Sequence, residues 1–448
     1  MEFTPWTIFV DLGLISLLFL VGSLLRAKVK LIQELFLPAG LLAGLIALAL
    51  GPNGLGWLPF SSQIGTYPGI LIAVVFAALP FSSEKTPFSS VTKRVGSMWA
   101  YSQMVMIMQW GSGLLFALLL LNNLWGDLHT GFGLMLASGF AGGHGTAAAI
   151  GQAFAEHGWE DAASLAMTSA TVGIISAIVG GLILIKWGAK KGHTGFISNF
   201  DQLPKELKTG LVPLEMRKSV GAGTVSSISI DPLMFHASLV GLAAMCGYYL
   251  SKAASAYFPK LNLPAFCLAF LVALLLSKLM QGFGADEYVD QKTMNRISGT
   301  CTDLLVAFGV ASIKLPVVVK YALPLALLFV FGVVFCLFFF IWMAPRFFRQ
   351  YWFERGIFTW GWATGTTAMG IALLRIVDPD LESKTLDDFA LAYIPMAPVE
   401  IAIVTFAPLL IVNGQHWLFT AVTMLAGLII FGIFRGKQKD QKLQTQNM

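Results

Sequence analysis

A chain of 448 residues that is 56% hydrophobic and only 12% charged, with a mean hydropathy of +0.74, is not a water-soluble globule, because soluble chains carry about 25% charged residues. The net charge of +5 does not imply a nucleic-acid partner, since Lys and Arg sit in short clusters between apolar runs, as they do beside membrane spans. The four cysteines, Cys246, Cys267, Cys301 and Cys336, are far apart inside apolar runs, show no metal or redox spacing, and read as packing residues.

A run of about 20 apolar residues crosses the hydrocarbon core, and the chain holds about eleven candidates plus two interrupted segments. The first half offers residues 7–25, 35–50, 64–81, 96–121, the interrupted stretch 131–154, and 162–186. The first run carries Asp11, leads into Arg26 and has no basic stretch before it, so it reads as a retained helix rather than a cleaved signal. The segment 187–230, with Lys190, Lys191, Lys205, Lys208, Arg217 and Lys218, is the one long hydrophilic connection and reads as a cytoplasmic linker. The second half offers 232–250, 263–279, 297–313, 321–343, the interrupted stretch 356–374, and 389–412, followed by a further helix at 417–434 and a polar tail from Lys437 to Met448.

With the N-terminus outside and each interrupted segment returning to its side of entry, the outer loops hold only Lys252, Lys260, Lys314 and Lys320 of the 29 basic residues. The positive-inside rule then places the C-terminus in the cytoplasm, and the two interrupted segments dip in from opposite faces.

The halves resemble each other. Leu37-Pro38-Ala39 followed by Leu42, Ala43, Leu45, Ala47, Leu48 and Leu50 matches Leu263-Pro264-Ala265 followed by Leu268, Ala269, Leu271, Ala273, Leu274 and Leu276. Gly145-Thr146-x-Ala148 recurs as Gly365-Thr366-x-Ala368, and Asp161 with Leu165-Ala166 as Asp387 with Leu391-Ala392. An odd number of full spans per half makes the second copy upside down. The expected fold is an all-α polytopic membrane protein: an N-terminal repeat over 1–186, the linker, an inverted repeat over 231–412, and an extra transmembrane helix with its tail over 413–448. Each repeat has five transmembrane helices and a re-entrant hairpin loop.

The interrupted segments carry the candidate chemistry. Gly139 to Gly151 reads G-F-A-G-G-H-G-T-A-A-A-I-G, too rich in glycine for a lipid-facing helix, since each interior Gly costs about 1 kcal/mol relative to Ala. Broken backbone at bilayer depth lines a cavity or is buried in protein. Free N–H groups at a helix start bind carboxylates, and unwound carbonyls ligate small cations. The substrate-binding candidates are Gly142, Gly143, His144, Gly145 and Thr146, with Thr364, Gly365, Thr366 and Thr367 beside Ala363 in the second segment. His144 either donates to an anionic substrate, takes part in proton coupling, or simply satisfies loop carbonyls. The other histidines read as solvated loop residues (His129, His157, His193 and His416) or as a helix packing residue (His236).

Carboxylates within spans face a cavity or a partner. Asp303 and Glu400, with Thr302, are the sodium candidates; either acid could equally be a neutral, hydrogen-bonded structural carboxyl. Asp11 lies nearer the outer end, within reach of water. Ser164, Thr168, Ser169 and Thr171 supply further oxygens, although bonding to their own helix is the default for each. Pro395 and Pro398 bend the helix near Glu400 and free carbonyls there. Walker A, HExxH and CxxC sequences are missing, so neither an enzyme nor an organic cofactor is expected.

The run Ser138 to Ala149, S-G-F-A-G-G-H-G-T-A-A-A, resembles the first pore-loop motif S-G-G-H-G-T-G-A-A of the bacterial sodium/glutamate symporter family. The run at Leu263 looks like that family's L-P-T-F, and Ile394-Pro395-Met396 like its V-P-M. The likeness extends over nearly the whole chain apart from the last helix and tail. It implies an inner-membrane protein of two inverted five-helix repeats with opposed re-entrant loops, importing glutamate with sodium by alternating access. The second loop departs from the family's G-F-G-L-G-A-T-P-T-A: Gly361 to Ala368, G-W-A-T-G-T-T-A, loses glycine and gains hydroxyls, which opens the choice of substrate.

The resulting expectation is a sodium-coupled symporter of glutamate or a related small anionic amino acid or dicarboxylate. A homodimer is expected, because a moving unit needs an anchored partner surface. The rivals are a proton-coupled carboxylate transporter acting through His144, Asp303 and Glu400, and an ion channel whose opposed loops form a filter.

Overall fold

The computed structural model describes residues 4–82, 95–196, 209–217, 219–257, 264–379 and 381–446, the last from residue 435 by backbone alone. The readings placed on Lys205, Lys208, Lys218, Lys260, Leu263 and the side chains of the tail fall outside the described residues. Among the described residues the chain is helical throughout, without a strand. In the first half run α1 (Pro5–Lys28), α2 (Ala39–Leu50), α3 (Tyr67–Ser82), α4 (Gly96–Phe116), α5 (Leu134–Phe140), α6 (Gly143–Glu156) and α7 (Asp161–Lys191). The second half runs α8 (Pro232–Tyr257), α9 (Ala265–Gly282), α10 (Gln291–Ala311), α11 (Ala322–Phe338), α12 (Trp352–Thr364), α13 (Thr367–Val377), α14 (Thr385–Val412) and α15 (His416–Gln446).

Among the described residues eight helices are long and apolar enough to cross a membrane, fewer than the eleven expected. The shortfall has local causes. Pro38, in extended backbone, starts α2 late and leaves it with 12 residues, whereas α9, preceded by Pro264 in the same way, still reaches 18 and counts among the eight. α3 begins only at Tyr67, and the Lys, Arg and Asp content of α10 dilutes its hydropathy.

Helices α1, α2, α3, α8, α9 and α10 pack together; α4 to α7 and α11 to α15 form a second group around α7. Close glycine contacts join them: Gly69 of α3 meets Gln152 of α6, and Gly309 of α10 meets Met167 of α7. Several features occur once in each half. A Cβ added at Gly22 would lie 2.7 Å from the Ala39 carbonyl, and one at Gly247 2.4 Å from the Ala269 amide. Both α4 and α11 pass into a wide π turn, at Ala117–Leu121 and Phe339–Met343.

α7 stops where Gly192 adopts a left-handed conformation (φ 69°), with His193 N bonded to Gly188 O and Gly192 N to Ala189 O. The linker then reaches the α9–α10 connection. Ala222 N donates to Asp290 Oδ2 (3.1 Å) and Thr224 Oγ1 to Tyr288 O (2.6 Å). His236 makes two bonds there: its Nε2 accepts from Asp290 N (2.8 Å), so its Nδ1 carries the proton toward Pro232 O.

Asp11 does not reach water. It is buried and accepts from Ser61 N (2.9 Å), the Ser61 hydroxyl and Tyr67 Oη (2.7 Å), pinning the start of α3 against α1. Asp11→Ala leaves these donors unmade and should cost about 2–3 kcal/mol, with Tyr67→Phe costing about 1 kcal/mol. Thermal unfolding in detergent reads both; an unchanged Tm for Asp11→Ala would show the knot to be dispensable.

Candidate functional site

Two pairs of short helices interrupt the long ones: α5 and α6, joined at Ala141-Gly142, and α12 and α13, joined at Gly365-Thr366. Within each pair the chain doubles back. In the first, His129 stacks on Trp159 (4.1 Å between ring centres), and a Cβ added at Gly131 would lie 2.7 Å from the Phe154 ring. In the second, a Cβ at Gly361 would lie 2.7 Å from Gly370 Cα, and one at Gly370 would lie 2.6 Å from Phe358 O.

α7 touches both pairs in sequence. Near its start Ala163 meets Gly151, and Ser169 and Ala170 meet Gly139. Ala177 O accepts from Trp360 Nε1 (3.0 Å); further on, Gly181 meets Leu373 and Gly188 meets Phe353. The base of the first pair therefore lies at one end of α7 and the base of the second at the other. Midway, a Cβ added at Gly173 would sit 2.4 Å from Thr364 O and 3.5 Å from Gly139 O. The two breaks meet there, where a Cβ at Gly143 would be 3.2 Å from Gly365 O and 3.4 Å from Thr366 Cγ2.

Each break begins a helix with unspent donors. Gly142 caps α6 without a side-chain bond, leaving the first-turn N–H groups from Gly143 free of helical partners. Gly143 has φ 63°, which glycine adopts without strain. At α13, Thr366 Oγ1 accepts from Met369 N (3.3 Å), and Thr367 and Ala368 are exposed. Two helix starts, each with a partial positive charge, thus converge at one point with no Lys or Arg in either tip.

The predicted residues divide sharply. Gly142, Gly143, His144, Gly145, Thr146, Gly365, Thr366 and Thr367 gather at the meeting point. His144 is buried, and its Nε2 lies 3.3 Å from Thr171 Oγ1. That hydroxyl gives its one proton to Met167 O (3.0 Å), so it accepts from a protonated Nε2; in the neutral ring Nδ1 is then the acceptor. Thr146 fills the space over Gly142, where any Cβ would collide with it. Thr364 is placed otherwise: it is fully buried and its hydroxyl returns to Trp360 O (2.6 Å).

The sodium candidates are not joined to the tips. Thr302 bonds Ser298 O (2.8 Å), Glu400 accepts from Tyr393 Oη (2.8 Å), and Asp303 is exposed on α10. Thr168 back-bonds to Ser164 O, Ser164 Oγ accepts from Lys314 N, and Ser169 donates to Leu136 O (3.4 Å). Two contributors escaped the sequence reading. Gln109 of α4 donates from Nε2 to Ala363 O (3.1 Å), directly before the second break, and Arg355 pairs with Asp388 (2.8 Å), tying α12 to α14. A glutamine within an apolar span was the available signal for the first; nothing local marks the second.

A family model described as sodium/glutamate symporter matches residues 7–353, the greater part of the chain, and ends inside α12. The second break and the last two helices lie beyond the matched residues, a narrower likeness than the motifs suggested. No curated protein matches the chain.

His129 is not a solvated loop residue. Its Nδ1 accepts from Gly131 N (3.0 Å), which requires the neutral ring, and burial pushes its pKa below the ordinary 6.5. The folded state then binds this proton less readily than the unfolded state. Its contribution to stability is complete above 6.5 and is lost as pH falls from there through the lowered folded value. Thermal stability should fall as pH drops below 6.5, and His129→Phe, which keeps a ring on Trp159, should flatten part of that slope. An identical slope in the variant would remove His129 from the account.

Proposed function

The chain belongs to the sodium/glutamate symporter family, and from that premise we propose that it imports glutamate or a closely related small dicarboxylate together with sodium, binding both at the contact between the two breaks. The observation that carries this reading is the approach of Gly143 to Gly365 beside Gly173, which sets two helix starts around one space. The substrate's carboxylates bind the free N–H groups of Gly143 to Gly145 and of Thr367 and Ala368, aided by Thr366 and Thr367 hydroxyls. His144 Nδ1 accepts from the substrate's ammonium group while Thr171 fixes the ring. Sodium takes the carbonyls of Gly139, Thr364 and Gly365, which accept no backbone N–H among the described residues.

The pairs α5–α6 and α12–α13 are re-entrant hairpins entering from opposite faces, a reading supported by their bases lying at opposite ends of α7. They belong to two inverted repeats, residues 1–186 and 231–412, joined by the linker 187–230 and followed by the extra helix and tail of 413–448; the paired Pro caps and π turns support this division. The protein sits in a bacterial inner membrane, N-terminus outside and C-terminus cytoplasmic, as a homodimer. Movement of the hairpin-bearing group against the other exposes the site alternately to the two sides.

Uptake into proteoliposomes under an imposed sodium gradient tests the whole. Saturable uptake of glutamate, aspartate or a dicarboxylate that disappears without sodium is expected. Uptake driven equally by a proton gradient in sodium-free buffer would replace sodium with protons, and no flux of any of these acids would overturn the reading. Gly173→Ala pushes Thr364 and the second tip away from the first and should lower uptake by roughly 100-fold. Thr171→Val, which frees His144 to rotate, should raise KM more than it lowers the maximal rate.

A further inference from the structure

α4 is an apolar span by composition, yet six buried side-chain atoms on it have no hydrogen-bond partner among the described residues: Trp99 Nε1, Ser102 Oγ, both terminal atoms of Gln103, Gln109 Oε1 and Ser112 Oγ. Ser102, Gln103, Gln109 and Ser112 are all more than nine-tenths buried. Polar atoms left unpaired in an apolar interior are strongly unfavourable, and a run of them along one helix calls for a common solvating agent.

At about 100° per residue the five side chains fall on one half of α4. The opposite side is taken by α15, where Thr423 crowds Gly111 and Gly427 crowds Met108. The polar half looks toward the two hairpins: Gly113 lies against Gly133 O and Leu136 at the start of the first, and Gln109 bonds Ala363 O directly before the second break and Cys336 Sγ of α11. A cavity of about 10 Å³, close to the room one water needs, lies beside Cys336 and Ala363, the two partners of Gln109, with Val105, Phe339, Phe340 and Trp360 closing its apolar side.

We propose that this half of α4 is a hydrated wall: a file of water runs along Trp99, Ser102, Gln103, Gln109 and Ser112, reaching the back of the second break at Gln109 and the start of the first hairpin at Ser112. Two amides, two hydroxyls and an indole N–H, with no charge, suit water as the occupant, since they supply donors and acceptors but nothing to neutralise an ion. The wetness of the wall stands on burial and hydrogen bonding alone; that the water solvates the breaks as solute leaves them rests on the transport reading.

The test is thiol labelling in native membranes. Ser102→Cys and Ser112→Cys, both nearly isosteric, are treated with a small water-soluble maleimide, and modification is quantified by peptide mass spectrometry. Met108→Cys on the α15 side is the comparison, and the buried native Cys267 reports an intact fold when it stays unmodified. We expect both serine positions to react at least about tenfold faster than Met108→Cys. Rates equal to Met108→Cys would overturn the proposal. Should a variant expose Cys267, hydroxyl-radical footprinting of the unaltered chain decides instead: Met106, buried on the polar half, oxidised ahead of Met104, equally buried on the α15 side, supports the wall, and equal protection of both overturns it. The labelling needs no flux, so a dry wall and a failed transport reading are told apart. Slower labelling of Ser112→Cys with sodium and glutamate present would link the water to the breaks, and an unchanged rate would leave the wall wet but remove its role in solute release.

Discussion

The structure depends on backbone meeting backbone at the centre of the chain. Gly139, Gly173, Gly361 and Gly370 each occupy a place where a Cβ would come within 2.4–2.7 Å of a neighbouring atom, Gly143 one where it would lie 3.2 Å from Gly365 O, and together they let two broken helices and α7 share one point. Each such glycine weakens its own helix by about 1 kcal/mol relative to Ala, and the close packing it permits offsets that cost. Where glycine is absent along α7, Ala163, Ala170 and Ala177 serve the same purpose on the faces turned to the breaks.

The electrostatic character of the centre follows from that crowding. There is no room for long basic side chains, and positive potential comes from helix starts instead, distributed over several N–H groups. Hydroxyls near the breaks are largely committed to their own helices, as in Thr364 to Trp360 O and Thr171 to Met167 O, so the oxygens left for a cation are chiefly backbone carbonyls. Thr171 accepts from His144 Nε2 and so fixes the ring, and His144 contributes geometry and, in its neutral form, an acceptor at Nδ1. α4 supplies the outer support: Gln109 holds the carbonyl before the second break and continues a polar face through an otherwise apolar span.

Much of this was legible from the chain. Glycine density flags the first break because few other residues tolerate such backbone, and the recurrence of Gly145-Thr146 as Gly365-Thr366 flags the second. Span positions came within a few residues, and the start of α2 shifts most plainly, where Pro38 delays a helix that hydropathy alone starts earlier. The acids were harder to place. Asp11, Asp303 and Glu400 look alike as isolated carboxylates in apolar runs, yet the first is locked by Ser61 and Tyr67, the third by Tyr393, and the second is exposed.

By itself, then, the sequence determined the class of molecule, the location of its two weak points and the chemistry those points can offer, because hydropathy, glycine content and helix termini are properties of short stretches. Only the tertiary structure decided that the weak points touch, that α7 and α4 support them, and which polar side chains are already spent. Those outcomes depend on contacts between residues as far apart as Gly143 and Gly365 or Gln109 and Ala363, and no local pattern records which distant surface a given face will meet.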